Sequence, residues 1–293
     1  MRVLVTGAGG FIGRNVLTCL RARGVETIAV GRRKPDQEVV FEPVDLLNAV
    51  DLHLLLARLR PSHLLHLAWY VEHVDYREAA LNTRWLDASI RLAKAFCEIG
   101  GQRLVIAGSS AEYDPRHGYC SEDLTPVGPV SLYGIAKDAT RRMTMAICDR
   151  AAISCAWARI FIPYGPGECR DRLIPSLIAA CRGRKPPFPV DIETFRDFVH
   201  VEDVAEGLVV LLERSESGIF NISSGQPLGL GELVRRVAGL LGARTEPFME
   251  LAKRQDSEPR LLVGSNLKLT SLGWRCRVDL DQGLGRYEKE LRT

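Results

Sequence analysis

No apolar run in this sequence approaches the ~20 residues that a membrane-spanning helix requires, so the chain is not expected to cross a bilayer. No block of Lys or Arg is long enough to act as a nucleic-acid arm. The formal net charge of +3 is slight for 293 residues, so electrostatics point to no polyanionic partner. The eight cysteines (19, 97, 120, 148, 155, 169, 181 and 276) contain no CxxC and no metal-type spacing with histidine. Neither a zinc motif nor a disulfide framework is therefore expected, and reduced thiols in a cytoplasmic protein are. The first apolar stretch, Val3 to Val5, runs straight into glycines and is too short for the core of a signal peptide. Repeats, linkers and low-complexity segments are lacking as well. At this length a single core is exceeded, which predicts one large domain or two intimate ones.

What is present is a rhythm. Residues 2–6 form a short β-branched run that reads as a buried strand, and after a glycine turn residues 11–23 carry apolar side chains at helical spacing until Gly24. Strands follow at 26–30, 39–43, 63–68, 103–107 and 154–160, alternating with helices at 49–58, 77–99 and 132–150. Strands alternating with helices make βαβ units, hence an α/β fold with a doubly wound parallel sheet and helices on both faces. Beyond residue 160 the regularity loosens around Pro163, Gly165, Pro166 and Gly167, and again around Pro186, Pro187 and Pro189. Residues 1–160 and 197–220 are expected to form a Rossmann-type dinucleotide-binding domain. Residues 161–196 and 221–293 are expected to form a smaller C-terminal α/β lobe.

Gly7, Gly10 and Gly13 sit between the first strand and the first helix, around Phe11 and Ile12. The first glycine permits a tight turn and the second a close approach of backbone N–H groups to a pyrophosphate. The third permits close strand–helix packing, and the helix N-terminus favours the negative charge. The end of the second strand selects the dinucleotide. An NAD site usually places a carboxylate there for the ribose 2′-OH, but this chain reads Val30-Gly31-Arg32-Arg33-Lys34. Arg32 and Arg33 are guanidiniums that can fork onto a 2′-phosphate, so NADP(H) is favoured over NAD(H). A plain solvated turn is the alternative for that basic run. Asp45 and Leu46, after the third strand, are candidates for the adenine edge.

Tyr133 and Lys137 lie at i and i+4 on one helix face. A phenol is a poor base at neutral pH, and a neighbouring cation favours phenolate. Together with the glycine turn, this pair brings a family into view. The chain resembles the extended short-chain dehydrogenase/reductases of the nucleotide-sugar epimerase/dehydratase group. The similarity runs nearly end to end through TGAGGFIG, HLA at 66–68, AGSSAEY at 107–113, YGIAK, RIFIPYGPGE at 159–168, RDFVHVEDVA at 196–205, FNISSG at 220–225 and LGW at 272–274.

The resemblance implies Tyr133 as general acid/base and Lys137 as its partner and cofactor ligand. It implies Ser109 as the hydroxyl that orients the sugar C4 oxygen, with Ser110 as the alternative if the segment carries a one-residue gap. Leu67 and Ala68 are implied against the cofactor, Arg196 on the substrate diphosphate, and the second lobe as the substrate-binding one. Trp69 is a candidate for stacking on the sugar, with aromatic core as the alternative. His66 and His200 read as structural. Two departures stand out. Ile162 occupies a position where the family often has an asparagine reaching the sugar phosphate. Ser110 and Ala111 stand where 4,6-dehydratases carry an adjacent Asp-Glu pair, and the nearby Glu112 is a single carboxylate and not that pair, so dehydration is disfavoured.

Three functions follow. The favoured one is NADPH-dependent reduction of a nucleotide-activated 4-keto-6-deoxysugar, with Tyr133 protonating the developing alkoxide. The second is a nucleotide-sugar 4-epimerase with retained NAD. The third is a silent dinucleotide-binding sensor or scaffold, disfavoured by the intact Ser, Tyr and Lys set. The implied partner is a nucleotide sugar, and the family implies a homodimer through the helices near Asp87 and Arg141.

Overall fold

The run at residues 2–6 is an inner strand of a seven-stranded sheet, and its alternation shows why the fold needs helices on both sides. Val3 and Val5 enter one buried cluster while Leu4 enters the opposite one. A strand buried on both faces must be covered twice. The computed structural model describes residues 1–254 and 259–290, so parts of the lobe expected over 221–293 lie outside the described residues.

Along the chain come β1 (Arg2–Thr6), α1 (Phe11–Ala22), β2 (Glu26–Gly31), β3 (Val40–Pro43), α2 (Leu52–Leu59), β4 (His63–His66), α3 (Leu81–Glu98) and β5 (Arg103–Ser109). The short β6 (Tyr119–Cys120), α4 (Leu132–Arg150), β7 (Ser154–Ile160), β8 (Ile162–Tyr164), α5 (Leu173–Cys181), β9 (Phe195–Arg196) and β10 (Phe198–His200) follow. The chain continues with α6 (Val201–Glu213), β11 (Gly218–Ile222), β12 (Leu228–Gly229), α7 (Leu230–Leu241), α8 (Glu246–Glu250), β13 (Leu261–Gly264), α9 (Leu267–Ser271) and α10 (Leu280–Glu290). The main sheet has the order β11-β7-β5-β4-β1-β2-β3 and every pair in it is parallel. Helices α1 and α6 cover one face, and α2, α3 and α4 cover the other. This is the expected α/β, Rossmann-type doubly wound sheet. Its strand order reverses between β1 and β4, which opens a crevice at their carboxyl ends.

Several boundaries differ from those the sequence predicts, each for a local reason. Strand β4 stops at His66 because the next two N–H groups, of Leu67 and Ala68, turn to the Thr6 hydroxyl at 3.2 Å. Helix α3 starts at Leu81 instead of residue 77, since Asn82 donates back to Tyr76 O and Ala79 O at 2.7 and 3.0 Å and folds the preceding residues into a loop. Strand β5 runs on to Ser109 by pairing with β7. In the 197–220 segment, β11 joins the edge of the main sheet, while β10 pairs instead with β8 in a separate two-stranded sheet.

A further apolar cluster gathers α5, α7 and α10, with Leu177, Leu233, Val234 and Val237 fully buried. Glu168 sits at its border, with Oε2 buried and without a hydrogen-bond partner. Burial pushes this carboxyl up to about 8, against the opposing charge of Arg172. The folded form keeps a proton that the unfolded chain has already lost. Its contribution to stability is therefore complete at low pH and disappears as pH rises from the ordinary carboxyl range to about 8. Glu168→Gln is expected to gain on the parent across that window in thermal unfolding and to level off above it; a difference independent of pH would contradict this.

Candidate active site

The crevice is built first from glycine. Gly7 has φ 71°, and a Cβ there would stand 2.7 Å from Ala68 N, so only a hydrogen side chain lets the turn lie against the end of β4. At Gly13 a Cβ would run into Gly7 O and the Ala8 backbone, so this glycine lets α1 pack onto the turn. Gly10 is the N-cap of α1, with no side-chain cap and no acidic residue in the first turn. The first-turn N–H groups around Phe11, Ile12 and Gly13 are thus left for an anion at a positive helix end. This cradle fits the pyrophosphate of a dinucleotide. Arg32 and Arg33 are exposed at the end of β2 and make no hydrogen bond or ion pair with any described residue. Asp45 is engaged locally, accepting from Leu47 N at 3.1 Å and Asn48 Nδ2 at 2.8 Å. Leu46 is buried in the core, so its side chain is not presented to a ligand.

Beneath the cradle a proton inventory is fixed. Thr6 Oγ1 accepts from two backbone N–H groups, so its own proton goes to His66 Nδ1 at 2.7 Å. His66 then donates from Nε2 to Ser89 Oγ at 2.8 Å, and Ser89 donates to Trp85 O at 2.7 Å. Burial, helped by the charge of Lys137, holds the imidazole down to about 3, so His66 is neutral.

Helix α4 begins on Ser131, whose hydroxyl accepts from Gly134 N at 3.2 Å. Its first two turns present Tyr133 and Lys137, both buried. Tyr133 N donates to Arg77 O at 2.9 Å, tying α4 to the loop before α3. Burial pushes the phenol upward; a hydrogen bond with Ser109 and the charge of Arg172 oppose it. Lys137 Nζ donates to Ala107 O at 2.9 Å, and burial brings the ammonium down to about 7. The two side chains share a face as the spacing predicts, but the dominant influence on each is loss of water, not their mutual effect. Ser109, whose hydroxyl accepts from Ala111 N at 3.2 Å, is near enough to the phenol to oppose its upward shift.

Three of the expected substrate residues are placed differently. Glu112 is fully buried and turned away from the crevice. Its carboxylate accepts from Ser109 N at 2.7 Å, Trp157 Nε1 at 2.9 Å and Arg159 Nε at 2.8 Å, so it braces the strand end that carries Ser109 and is not free for a sugar. Trp69 is also engaged. Its ring stacks on Trp85 with centroids 6.3 Å apart, and Lys137 Nζ lies 3.8 Å from its centroid. Arg196 donates to Phe195 O and Pro259 O at 3.0 and 2.7 Å and is nearly buried. The neighbouring Asp197 accepts from Ser224 N, Gly225 N and Gly264 N. Ile162 packs at the edge of the lobe cluster.

The residues that sequence reasoning missed are Asn82, Tyr76 and Arg172. Asn82 accepts from Trp69 Nε1 at 2.8 Å. Tyr76 meets the Tyr133 ring edge-on at 5.1 Å, and the Arg172 guanidinium lies 5.5 Å from the Tyr76 ring. An asparagine inside a predicted helix was a signal for Asn82, since its amide competes with helical hydrogen bonds. Arg172 carried none, because a long loop brings it in.

The profile described as NAD dependent epimerase/dehydratase family matches residues 3–223. A solved structure of MoeE5 in complex with UDP-glucuronic acid and NAD is 31% identical, with TM-score 0.86, and the match covers 100% of this chain and 99% of that one. A UDP-glucose 4-epimerase of Mycolicibacterium smegmatis is 29% identical over 98% of this chain and 97% of its own length. UDP-glucuronic acid decarboxylase 1 of Arabidopsis thaliana is 26% identical over 100% of this chain and 70% of its own length.

The Glu112 brace gives a direct stability test. Arg159 is fully buried, and its guanidinium carbon lies 4.2 Å from the Tyr113 ring centroid. Removing the carboxylate strands that charge, so Glu112→Ala should cost about 3–5 kcal/mol in denaturant unfolding and Glu112→Gln distinctly less. Equal, small losses in both variants would contradict the brace.

Proposed function

The chain belongs to the NAD dependent epimerase/dehydratase family, extended short-chain dehydrogenase/reductase enzymes that act on nucleotide sugars. Within that family we propose that it is a 4-epimerase of a UDP-linked sugar. The observation that carries this reading is the convergence of Ser109, Tyr133 and Lys137 of this chain where β5 ends and α4 begins; a relative of the same fold over its whole length is solved with NAD and UDP-sugars, which supports it. This replaces the reductase favoured from sequence with the alternative that the relatives support.

A nicotinamide dinucleotide, when bound, supplies the acceptor and later the donor of the C4 hydride. Tyr133 takes the proton of the C4 hydroxyl as that hydride leaves, giving a C4 ketone. When the C4 carbonyl is reduced again on its other face, Tyr133 would give the proton back to the C4 oxygen. No cofactor is consumed. Ser109 hydrogen-bonds the same oxygen and keeps it on the phenol. Gly7, Gly10 and the N-terminus of α1 would hold the pyrophosphate of the dinucleotide, and Lys137 its ribose. Arg172, whose charge reaches the Tyr133 phenol, gives the sugar end a guanidinium suited to a carboxylate. That favours UDP-glucuronic acid over UDP-glucose as substrate.

A second reading, NADPH-dependent reduction of a 4-keto sugar, keeps one observation in its favour: the unpaired Arg32 and Arg33 at the end of β2. Net consumption of NADPH marks the reductase, and interconversion of C4 epimers without net cofactor change marks the epimerase. For either, Tyr133→Phe should lower turnover by about 10²–10⁴-fold while dinucleotide affinity persists; a fully active variant would remove the mechanism. If the arginine pair grips a 2′-phosphate, Arg32→Ala with Arg33→Ala weakens NADPH binding at least about tenfold and leaves NADH unchanged. Equal affinities for the two dinucleotides before and after substitution would assign the pair to solvent.

A further inference from the structure

Lys137 has an unusual neighbour. Its ammonium is buried and makes no ion pair with any described residue; what it has is one carbonyl, Ala107 O, and the face of an indole. The titratable groups around it are few. His66 on β4 is neutral, Tyr133 stands on the same helix, and Glu112, after β5, favours the charge from a distance while its oxygens are bound elsewhere.

The indole is held from three sides. Trp69 Nε1 donates to Asn82 Oδ1 at 2.8 Å, and Asn82 is itself fixed by its donations to Tyr76 O and Ala79 O. The ring stacks on Trp85 with 27° between planes and meets Tyr133 edge-on at 6.4 Å between centroids. An ammonium has three N–H donors. Here one goes to Ala107 O and the π face takes the charge, which leaves the remainder for a ligand.

We propose that Trp69 is a positioning residue whose indole face holds the Lys137 ammonium, charged and in place, beside Tyr133. The inference rests on the roles given above to Tyr133 and Lys137, and it adds a residue that touches neither sugar nor reacting atom. Its physical basis is that a desolvated cation with no carboxylate partner needs another source of negative potential, and the face of tryptophan is the strongest that an uncharged side chain offers. Burial alone already draws this ammonium down toward neutrality, so loss of the π face should release the proton sooner.

The test compares Trp69→Leu, which removes the π face, with Trp69→Phe, which keeps a smaller one. The first readout needs no substrate: NMR titration of ε-carbon-labelled lysine, with the Lys137 signal identified by its absence in Lys137→Arg. In Trp69→Leu the midpoint should fall by about one pH unit, and in Trp69→Phe by less. The second readout is the pH profile of epimerisation. Its alkaline limb should move down by the same step, with KM for the UDP-sugar within about twofold of the parent. A Lys137 midpoint that stays put in both variants overturns the proposal. So does a rise in KM at unchanged kcat and unchanged pH profile, which would make Trp69 a sugar contact. If Trp69→Leu does not fold, the Trp69→Phe titration alone decides. Failure of the parent to turn over any UDP-sugar would refute the proposed function and leave the titration result standing.

Discussion

Lys137 holds an amine out of water beside the carboxyl end of β5, and the surroundings of the site answer that cost. Ala107 O takes one of its protons at 2.9 Å, and Trp69 offers its face at 3.8 Å. The fully buried Glu112 contributes field without contact. His66 is kept neutral, so no second cation competes. Such a charge is worth more to a reaction than one at the surface, because a low-dielectric site strengthens whatever it touches. It is also easily lost, and for that reason its supports come from β4, β5, α3 and α4 together.

Those supports are themselves braced. Glu112 links Ser109 N to Trp157 and Arg159 on the neighbouring strand β7, so the serine near the phenol is anchored through two strands. The glycine turn lies against Ala68, one residue before Trp69, because Gly7 has no side chain to keep it away. The glycine turn and Lys137 therefore meet adjacent residues, the first at the Ala68 backbone and the second at the Trp69 ring, beside the point where the strand order reverses.

The sheet was readable because β-branched runs alternate with helical patterns, and the cradle because only glycine tolerates its φ and its contacts. Tyr133 and Lys137 were readable from their spacing on one helix. The loop 69–80 was not: its fold depends on Asn82 reaching backward, which turned four expected helical residues into a covering segment with Tyr76 against the phenol. Glu112 misled for the opposite reason. A carboxylate near an active-site serine reads as a reactant, and its removal to the core depends on Arg159, 47 residues away along the chain. Trp69 carried two readings in the sequence, and neither pointed to the partner its ring has here, the Lys137 amine.

A sugar nucleotide labelled with deuterium at C4 tests the central claim most directly. Incubated with UDP-glucuronic acid so labelled, the protein should yield the C4 epimer with deuterium retained at C4, as expected when the hydride leaves to the dinucleotide and returns from it. Loss of the label to solvent during epimerisation, or no epimer from any UDP-sugar while the dinucleotide is bound, would contradict the account.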